Sequence, residues 1–142
     1  MKRKDIKLEH LARVPLFSSL NQNELKTLGR MSEIVYFPEG KVIFEEGTTG
    51  REFFLIIEGQ AAVKKGKRTL SKVGRGSYFG ELSILDGEPR SATVVAISDM
   101  ELLVLEQRQF SGAIREVPSL GLKFLTAMAK RLRDSDKKAL SH

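Results

Sequence analysis

The chain has 142 residues, of which 41% are hydrophobic and 30% charged, a composition that fits a soluble globular domain and argues against a disordered chain. It has no cysteine, which excludes disulfides and thiolate metal sites. No apolar run approaches the ~20 residues of a membrane-spanning helix, and no secretory signal pattern follows the basic start. We therefore expect one domain over residues 1–142, located in the cytoplasm.

The formal net charge is +6, and the excess lies largely at the two ends, in residues 1–13 and 123–142. A basic chain is attracted to nucleic acid or to an anionic membrane. Solvated helix faces are the simpler explanation of such charge runs. We therefore expect no segment that binds nucleic acid or membrane directly.

Helical periodicity marks both ends of the chain. In residues 7–31 apolar residues recur at helical spacing, and a helix-start signal at residues 19–21 introduces a second helical segment. From residue 107, QRQFSGAIREV predicts a short helix before Pro118, followed by a longer helix that continues to about residue 137. One stripe of the longer helix is apolar: Leu122, Leu125, Met128 and Leu132.

Residues 33–106 have a different character, with nine of the twelve glycines in the chain. Pro38-Glu39-Gly40 and Lys65-Gly66-Lys67 predict hairpin turns. Between the glycines lie short runs rich in β-branched and aromatic residues: EIVYF, KVIFEE, EFFLII, QAAVKK, RTLSKV, ATVVAIS and MELLVLEQ. The predicted fold class is α+β: an eight-stranded antiparallel β-roll of the jelly-roll type, with N-terminal helices and two C-terminal helices.

The stretch GELSIL, residues 80–85, predicts an anion site. It allows about one turn of helix before Asp86-Gly87, and a short helix that starts at a glycine presents free backbone N–H groups. The carboxylate of Glu81 has two acceptor oxygens, which suit a vicinal pair of hydroxyls or one pair of donors.

The stretch PRSATVV places Arg90 just before a predicted buried strand. A buried arginine without a partner is costly, and its planar fork suits a phosphate or a carboxylate. Ser91 and Thr93 add hydroxyls, and Ala92 leaves room for a ligand near the backbone. Two hypotheses follow from the chemistry: an ion pair of Arg90 with Glu81 at the rim of the roll, or an anionic ligand.

The run FGELSILDGEPRSATV resembles the phosphate-binding cassette of the cyclic nucleotide-binding domain family. That motif joins Phe-Gly-Glu, a short helix, Pro-Arg, small residues and a Thr or Ser before a strand. VPLFSSL, PEGKVIFEEG, FFLIIEGQAAV and the helical tail are also similar to the family, so the resemblance covers roughly residues 7–133. It implies a regulatory domain that binds a cyclic mononucleotide, with the cassette at residues 79–94 of a β-roll over residues 33–106.

The resemblance also implies a role for each cassette residue. Arg90 would bind the exocyclic oxygens of the cyclic phosphate, and Glu81 would accept a hydrogen bond from the ribose 2′-hydroxyl. The backbone N–H groups of Gly80, Leu82 and Ala92 would complete the cradle around the sugar and phosphate.

The nucleotide base would lie against apolar residues of the roll, with the last helix closing over it. A basic residue of that helix would contact the base. The complete predicted ligand site comprises Gly80, Glu81, Leu82, Ser83, Arg90, Ser91, Ala92 and Thr93 in the cassette, Val63 and Val73 in the roll, and Arg131 on the last helix.

Ser91 bears on the choice of nucleotide. Kinase regulatory subunits of the family usually carry alanine at this position, whereas a hydroxyl occurs in bacterial members that bind cAMP. In members that respond to cGMP, the same hydroxyl can contact the guanine amino group. We expect cAMP to be favoured over cGMP, and no cofactor besides this ligand.

Other functions have less support from the residues. Metal enzymes with related rolls need several histidines inside the roll, whereas His10 and His142 lie outside it, so we expect neither a metal site nor catalysis. The DNA-reading helices of a transcription factor would have to follow residue 133. The main alternative is a nucleotide-independent protein-interaction module with the same fold.

The predicted mechanism is a ligand-operated switch of the last helix. Binding would draw the short cassette helix inward, and the last helix would move over the base. The expected output partner is an unidentified effector protein or domain, or a second copy of the chain that docks on the apolar stripe of the last helix.

Overall fold

The computed structural model describes residues 3–80 and 83–140. The chain divides into two compact units: a helical unit of residues 1–30 and 111–142, and a β unit of residues 31–110. The expectation that the whole chain is a single domain stays a prediction.

The described part of the β unit contains eight strands. Seven of them coincide with the short β-rich runs of the sequence, with β3 ending one residue past its run, and the eighth, β6, has only two residues, too few to show an alternating pattern. The strands are β1 (Glu33–Phe37), β2 (Val42–Phe44), β3 (Glu52–Glu58), β4 (Ala61–Lys65), β5 (Arg68–Val73), β6 (Tyr78–Phe79), β7 (Thr93–Ala96) and β8 (Met100–Glu106).

The strands form two antiparallel sheets of four strands each. One sheet has the order β1-β8-β3-β6, and the other has the order β2-β7-β4-β5. Non-consecutive neighbours in both sheets give the crossed connections of a jelly roll rather than a simple meander. Together with the helices at both ends of the chain, this architecture confirms the predicted α+β, jelly-roll-like fold class.

The hydrophobic core of the β unit lies between the two sheets. Alternate side chains of each strand point inward, because successive residues of a strand face opposite sides. Phe44, Val63 and Phe79 pack against the edge of this core and are only partly buried, and a cavity opens there. The buried cluster consists of Phe37, Phe54, Ile56, Ala61, Val94, Ala96, Met100 and Leu102.

The predicted turn at Lys65-Gly66-Lys67 is a hairpin turn. Lys65 pairs with Arg68 across a two-residue loop. Gly66 has a φ of +62°, the conformation that the first loop position of a type II′ turn requires. This prediction is confirmed.

The predicted hairpin at Pro38-Glu39-Gly40 is wrong in its topology. The segment does form a turn, closed by the Lys41 N–H, which donates to the Pro38 carbonyl at 3.1 Å. The strands on either side, β1 and β2, nevertheless belong to different sheets. Turn residues specify a change of direction, but tertiary packing decides which sheet the next strand joins.

The described residues form five α-helices and one 3₁₀ turn. The first helix begins before residue 7, where the sequence pattern placed it, and the last continues past residue 137. None of these helices has the length and apolar character needed to cross a bilayer. Their bounds are α1 (Arg3–Ala12), the 3₁₀ turn (Pro15–Phe17), α2 (Gln22–Met31), α3 (Ser83–Asp86), α4 (Gln107–Glu116) and α5 (Pro118–Leu140).

Helix α5 does not bury the stripe that the sequence singled out. Leu122 and Leu132 are 68% and 65% exposed, whereas Leu120 and Phe124 are buried. The Phe124 ring packs on Phe17 of the 3₁₀ turn, with the ring centroids 5.9 Å apart. The predicted stripe and the buried pair Leu120 and Phe124 are both apolar. Helical periodicity alone therefore could not tell which of them packs within the chain.

One buried carboxylate ties α2 to α5 in the helical unit. Asn21 and Glu24 cap α2 reciprocally: the Glu24 N–H donates to Asn21 Oδ1 at 2.9 Å, and the Asn21 N–H donates to Glu24 Oε1 at 2.8 Å. Lys123 Nζ donates to Glu24 Oε1 at 2.7 Å, and the Ser119 hydroxyl donates to Oε2. Burial alone would raise the pKa of Glu24, but the hydrogen bonds from Lys123, Ser119 and Asn21 and the charge of Lys123 lower it to about 2.

We expect the protein to lose stability in acid through Glu24. Because folding lowers the pKa of Glu24 from 4.5 to about 2, this stabilisation is present above pH 4.5 and is lost as the pH falls toward 2. Glu24→Gln should destabilise the protein at neutral pH by about 1–3 kcal/mol, because Lys123 and Ser119 lose a charged acceptor. Urea unfolding followed by circular dichroism at neutral pH and at pH 3 measures both effects.

Glu9→Gln is the matched control. Glu9 accepts a hydrogen bond from Arg13 at 3.0 Å, but the two side chains are 40% and 65% exposed. Exposed ion pairs contribute little, so we expect this change to cost less than ~0.5 kcal/mol. Equal destabilisation by the two substitutions would contradict the role of the buried carboxylate.

Candidate functional site

A cavity of about 380 Å³ opens at the edge of the β-unit core, between β2, β4, β6, α3 and the loop that leads into β7. Cavities of ~300–1,000 Å³ are the usual size for small-molecule sites. Apolar strand residues form one part of the wall, and the polar loop forms the other. The lining residues are Phe44, Val63, Phe79, Gly80, Ser83, Asp86, Glu88, Pro89, Arg90, Ser91, Ala92 and Val94.

Arg90 lies in this wall and is only 5% exposed. Its Nη2 donates to the backbone carbonyl of Glu52 at 3.1 Å, and Glu52 Oε1 lies 3.7 Å from the same nitrogen. The guanidinium carbon lies 4.4 Å from the ring centroid of Phe44 and 5.7 Å from that of Phe54, within cation–π range. Aromatic faces and one carboxylate thus hold the cation inside an otherwise apolar edge.

Two of the Arg90 donors remain without an acceptor. Nε and Nη1 are buried and have no hydrogen-bond partner among residues 3–80 and 83–140. Burial lowers the pKa of Arg90, and the negative charge of Glu52 opposes that effect. Arginine still keeps its proton at neutral pH, and each buried donor without an acceptor costs about 1–3 kcal/mol. The site is therefore complementary to an anion that brings acceptor oxygens.

Two glycines make room for the guanidinium. A Cβ atom at Gly50 would lie 2.9 Å from Arg90 Nη2 and 3.0 Å from Glu52 Oε1. At Gly80, where φ is +83°, a Cβ would collide with the Glu52 carbonyl oxygen and lie 2.6 Å from Arg90 Nη1. Gly80 belongs to the predicted site, whereas no local motif connects Gly50 with Arg90.

Glu52 is the charged neighbour of Arg90 that the sequence analysis missed. The predicted ion-pair partner was Glu81, which lies outside the described residues, as does Leu82, so their roles stay predictions. Glu52 reaches the site because β3 pairs with β6, with Phe54 opposite Phe79, which brings the start of β3 next to Gly80. Only knowledge of this pairing would have identified Glu52.

Most of the predicted ligand residues that can be described line the cavity. Val73 does not line it and packs instead against the core cluster. Thr93 does not line it either, and its Oγ1 accepts a hydrogen bond from the Glu46 N–H at 2.9 Å. Arg131 lies on the exposed part of α5 in the helical unit. The residues found in the wall are Val63, Gly80, Ser83, Arg90, Ser91 and Ala92.

The apolar wall contains residues that the sequence analysis did not name. Phe44 stacks on Arg90, and its ring centroid lies 6.0 Å from that of Phe79 in an edge-on arrangement. Val94, the second residue of β7, adds a branched side chain from the neighbouring strand. Alternation along β2 and β7 indicates that these side chains point inward, but not that they border a cavity rather than the closed core.

Helix α3 forms a single turn, as predicted. The Ile84 N–H donates to the Gly80 carbonyl and the Gly87 N–H to the Ser83 carbonyl, each at 3.0 Å. These two amides are therefore occupied within the chain. The amides of residues 81 and 82, which the anion-site prediction also involves, lie outside the described residues.

Gln107, the first residue of α4, connects α3 with the start of β3. Its Nε2 donates to the Leu85 carbonyl at 3.0 Å, and its Oε1 accepts from Arg51 Nη1 at 2.7 Å. The Gln107 N–H also donates to the Arg51 carbonyl at 2.8 Å. A displacement of α3 would thus act directly on the first turn of α4.

Carboxylates at the rim set the charge of the site. Asp86 and Glu88 both line the cavity, and the Glu88 N–H donates to Asp86 Oδ1 at 3.0 Å. In the described part of the chain, no three His, Asp or Glu residues are grouped closely enough to hold a metal ion. One buried cation behind an acidic rim favours a ligand that carries a low negative charge.

The sequence is similar to known regulatory proteins. The cyclic AMP receptor protein of Thermus thermophilus is 34% identical in an alignment over 127 residues, and the match covers 86% of this chain and 59% of that protein. A cAMP-dependent protein kinase regulatory subunit of Hypocrea atroviridis is 35% identical in an alignment over 120 residues, and the match covers 80% of this chain and 26% of that subunit. The chain thus spans only part of the length of these relatives.

The fold is similar to that of a solved structure, the N-terminal domain of a transcriptional regulator from Streptomyces coelicolor. The TM-score is 0.85 at 28% identity, and the match covers 92% of this chain and 94% of that one. The family model of the cyclic nucleotide-binding domain matches residues 34–116, which include all the residues that line the cavity. The chain therefore belongs to the cyclic nucleotide-binding domain family.

Proposed function

We propose that this chain is a cyclic nucleotide sensor that binds cAMP in preference to cGMP and responds by moving its C-terminal helix. The observation that carries the proposal is the buried Arg90, whose Nε and Nη1 have no acceptor among the described residues and which lies in the wall of a cavity of ligand size. A cyclic phosphodiester brings one negative charge and two exocyclic oxygens. It would supply both acceptors while matching the single cation.

The sugar and phosphate would rest on the cassette backbone. Gly80 and Ala92 lie in the cavity wall, which supports their amides as donors to the ligand. Glu81 would accept from the ribose 2′-hydroxyl, and the Leu82 amide would complete the cradle. Ser83, in the wall on α3, is a further hydroxyl within the site.

The base would lie on the apolar wall. Val63 from β4 and Phe44 from β2 offer flat or branched apolar surface on that side of the cavity. Ser91 lies in the same wall, and its hydroxyl would donate to the phosphate or to the base. The names of both relatives, the receptor protein and the kinase regulatory subunit, refer to cyclic AMP, which supports cAMP over cGMP.

The signal would leave the site through α3 and α4. Gln107 holds the last turn of α3 through the Leu85 carbonyl, so an inward movement of α3 pulls on the start of α4. Leu85 is 44% exposed, which leaves it free to repack when α3 moves. Helix α5 follows α4 after one residue and would close over the base, with Arg131 as the candidate base contact.

In this proposal the response to the ligand is passed to a partner molecule, and the chain itself catalyses no reaction. The relatives are named as a receptor protein, a kinase regulatory subunit and a transcriptional regulator, and these names support a regulatory output. An effector protein or domain is one partner. A second copy is the other, since Leu122, Leu125 and Leu132 leave a strongly exposed apolar stripe on α5. The alternative function is a nucleotide-independent interaction module of the same fold. Such a module would bind the partner without binding a nucleotide.

We expect titration calorimetry to detect cAMP binding, with weaker binding of cGMP. Arg90→Ala should weaken cAMP binding by at least ~2 kcal/mol, roughly thirtyfold, because the phosphate loses its charge-assisted contact. The absence of heat with both nucleotides at high micromolar concentration would favour the interaction module instead.

Arg108→Ala is the control for loss of a positive charge. Arg108 is exposed on α4 and does not line the cavity. We expect its replacement to leave the affinity for cAMP within about twofold, as for exposed charges in general. If Arg90→Ala changed the affinity no more than this control, the phosphate would bind elsewhere.

Glu52 should compete with the ligand for Arg90. Glu52→Gln keeps the backbone acceptor and the side-chain length but removes the negative charge 3.7 Å from Nη2. Because the Glu52 side chain is 40% exposed and partly screened, we expect cAMP to bind tighter by only about 1 kcal/mol, roughly fivefold. Calorimetry at low and high salt measures the gain, which should shrink as salt increases.

The control for Glu52 is Glu58→Gln, at the opposite end of β3, where the side chain is exposed. It removes the same charge without touching Arg90. Weaker cAMP binding by Glu52→Gln, with Glu58→Gln unchanged, would mean that Glu52 positions Arg90 for the ligand instead of competing with it.

Gln107→Ala should separate binding from the response. The chain has no cysteine, so Ser71→Cys on β5 and Lys130→Cys on α5 allow two spin labels to be attached selectively. We expect cAMP to change the distance between these labels, and Gln107→Ala to reduce the change by at least about half while affinity stays within about threefold. Arg108→Ala, the next residue of α4, should preserve the full change. An undiminished change in Gln107→Ala would contradict the coupling through Leu85.

A further inference from the structure

The hairpin of β4 and β5 carries a positive charge that the nucleotide site does not use. We call residues 64–72 the basic hairpin. Within residues 59–79 there is no Asp or Glu, so the charge is uncompensated in the sequence. This central cluster is separate from the basic ends of the chain. Its cations are Lys64, Lys65, Lys67, Arg68 and Lys72.

These five cations form no ion pair with the described residues. Elsewhere in the described chain, cations do find carboxylates: Arg30 Nη2 lies 2.7 Å from Glu116 Oε2, and Lys123 Nζ lies 2.7 Å from Glu24 Oε1. In the basic hairpin, the nearby Glu46 instead accepts from the Gly66 N–H at 3.3 Å. The charge of the hairpin is thus left to an external partner or to solvent.

The strand register concentrates this charge at the hairpin tip. Lys65 and Arg68 are direct cross-strand partners, an arrangement that destabilises an isolated pair of strands because like charges oppose each other. Every residue of β5 from 68 to 72 is exposed. Because successive residues of a strand face opposite sides of the sheet, both faces of this part of β5 are accessible. The tip is therefore accessible to a broad, flat surface rather than shaped to enclose a small ion.

An added β-strand from another polypeptide does not suit this edge. Strand β5 lies at the end of its sheet, but the pairing register skips one residue at Leu70. Such a bulge, together with edge lysines, discourages a further strand from pairing.

The apolar residue within the cluster distinguishes between the remaining anionic partners. Leu70 is 49% exposed among the cations. Residues 61–77 contain no aromatic side chain on which bases could stack, so nucleic acid would use the charges but not Leu70. A lipid surface would use both, because anionic headgroups attract the cations and the acyl boundary accepts a leucine.

We propose that the basic hairpin docks this chain on an anionic membrane surface, with Lys65, Lys67 and Arg68 on the headgroups and Leu70 entering the interface. The docking is peripheral and reversible. Each basic residue near such a surface strengthens binding by about fivefold, and the attraction falls off within a Debye length. Val63 of β4 lines the nucleotide cavity, so the docked hairpin and the site share one strand.

Vesicle co-sedimentation tests the proposal. The full chain should bind vesicles of phosphatidylcholine with about 30% phosphatidylserine and not vesicles of phosphatidylcholine alone, and binding should fall as salt is raised. Equal binding to both vesicle types, or binding to neither, would overturn the proposal.

Two triple variants separate the hairpin from the overall charge. Lys65→Glu, Lys67→Glu and Arg68→Glu together, or Lys26→Glu, Arg108→Glu and Lys130→Glu together, each lower the formal net charge from +6 to 0. We expect the hairpin variant to lose at least ~100-fold in vesicle binding and the control to stay within about tenfold of the wild type. Equal losses would show that net charge alone is responsible and would overturn the assignment to the hairpin. Thermal unfolding confirms that both variants fold.

Leu70→Ser isolates the apolar contribution at constant charge. We expect about a fivefold loss of vesicle binding that persists at high salt, where charge attraction is screened. Retention of full binding would overturn the role of Leu70. A different result would identify a polyanion, and not a lipid surface, as the partner. In that case the wild type does not bind vesicles but binds a single-stranded oligonucleotide or polyglutamate, and the hairpin variant loses that binding.

Discussion

The buried guanidinium of Arg90, at the edge of an apolar core, is the charge around which the wall of the cavity is arranged. Burial of Arg90 is tolerable because Phe44 and Phe54 present their ring faces to it and Glu52 offers two oxygens to one of its nitrogens. Neither the aromatic contacts nor the single carboxylate satisfies the remaining donors. The fold therefore holds a cation in place without neutralising it fully, which is how a protein keeps a site ready for an anion.

The same arrangement is the physical basis of the proposed response to a ligand. Gly80 lies between Arg90 and the start of α3, and α3 is held at its other end by Gln107. An anion that binds Arg90 would therefore exert a force on α3, a one-turn helix that is hydrogen-bonded to α4 through Gln107. Because α3 has only four residues, few internal hydrogen bonds resist its movement, and the coupling needs no long chain of contacts.

Three charge environments in this chain show how context changes the role of an ionisable residue. Glu24 is buried but fully provided with donors, so it stabilises the helical unit. Arg90 is buried and only partly paired, so it favours a ligand. Four of the five cations of the basic hairpin are exposed, Lys64 is half-buried, and none of the five is paired among the described residues, so they favour an extended anionic surface. Burial and pairing, and not the type of residue, decide between these outcomes.

Local sequence patterns predict the alternation of helical and strand periods, the turn at Gly66 and the single turn of α3, since each depends on neighbours within a few residues. The cassette that carries Arg90 is identified by its resemblance to the family. Tertiary contacts place β1 and β2 in different sheets, bury Leu120 and Phe124 rather than Leu122 and Leu132, and bring Glu52 and Gly50 to Arg90. These contacts join segments far apart in the chain. They depend on the pairing of β3 with β6 and on helix packing, which no local pattern encodes.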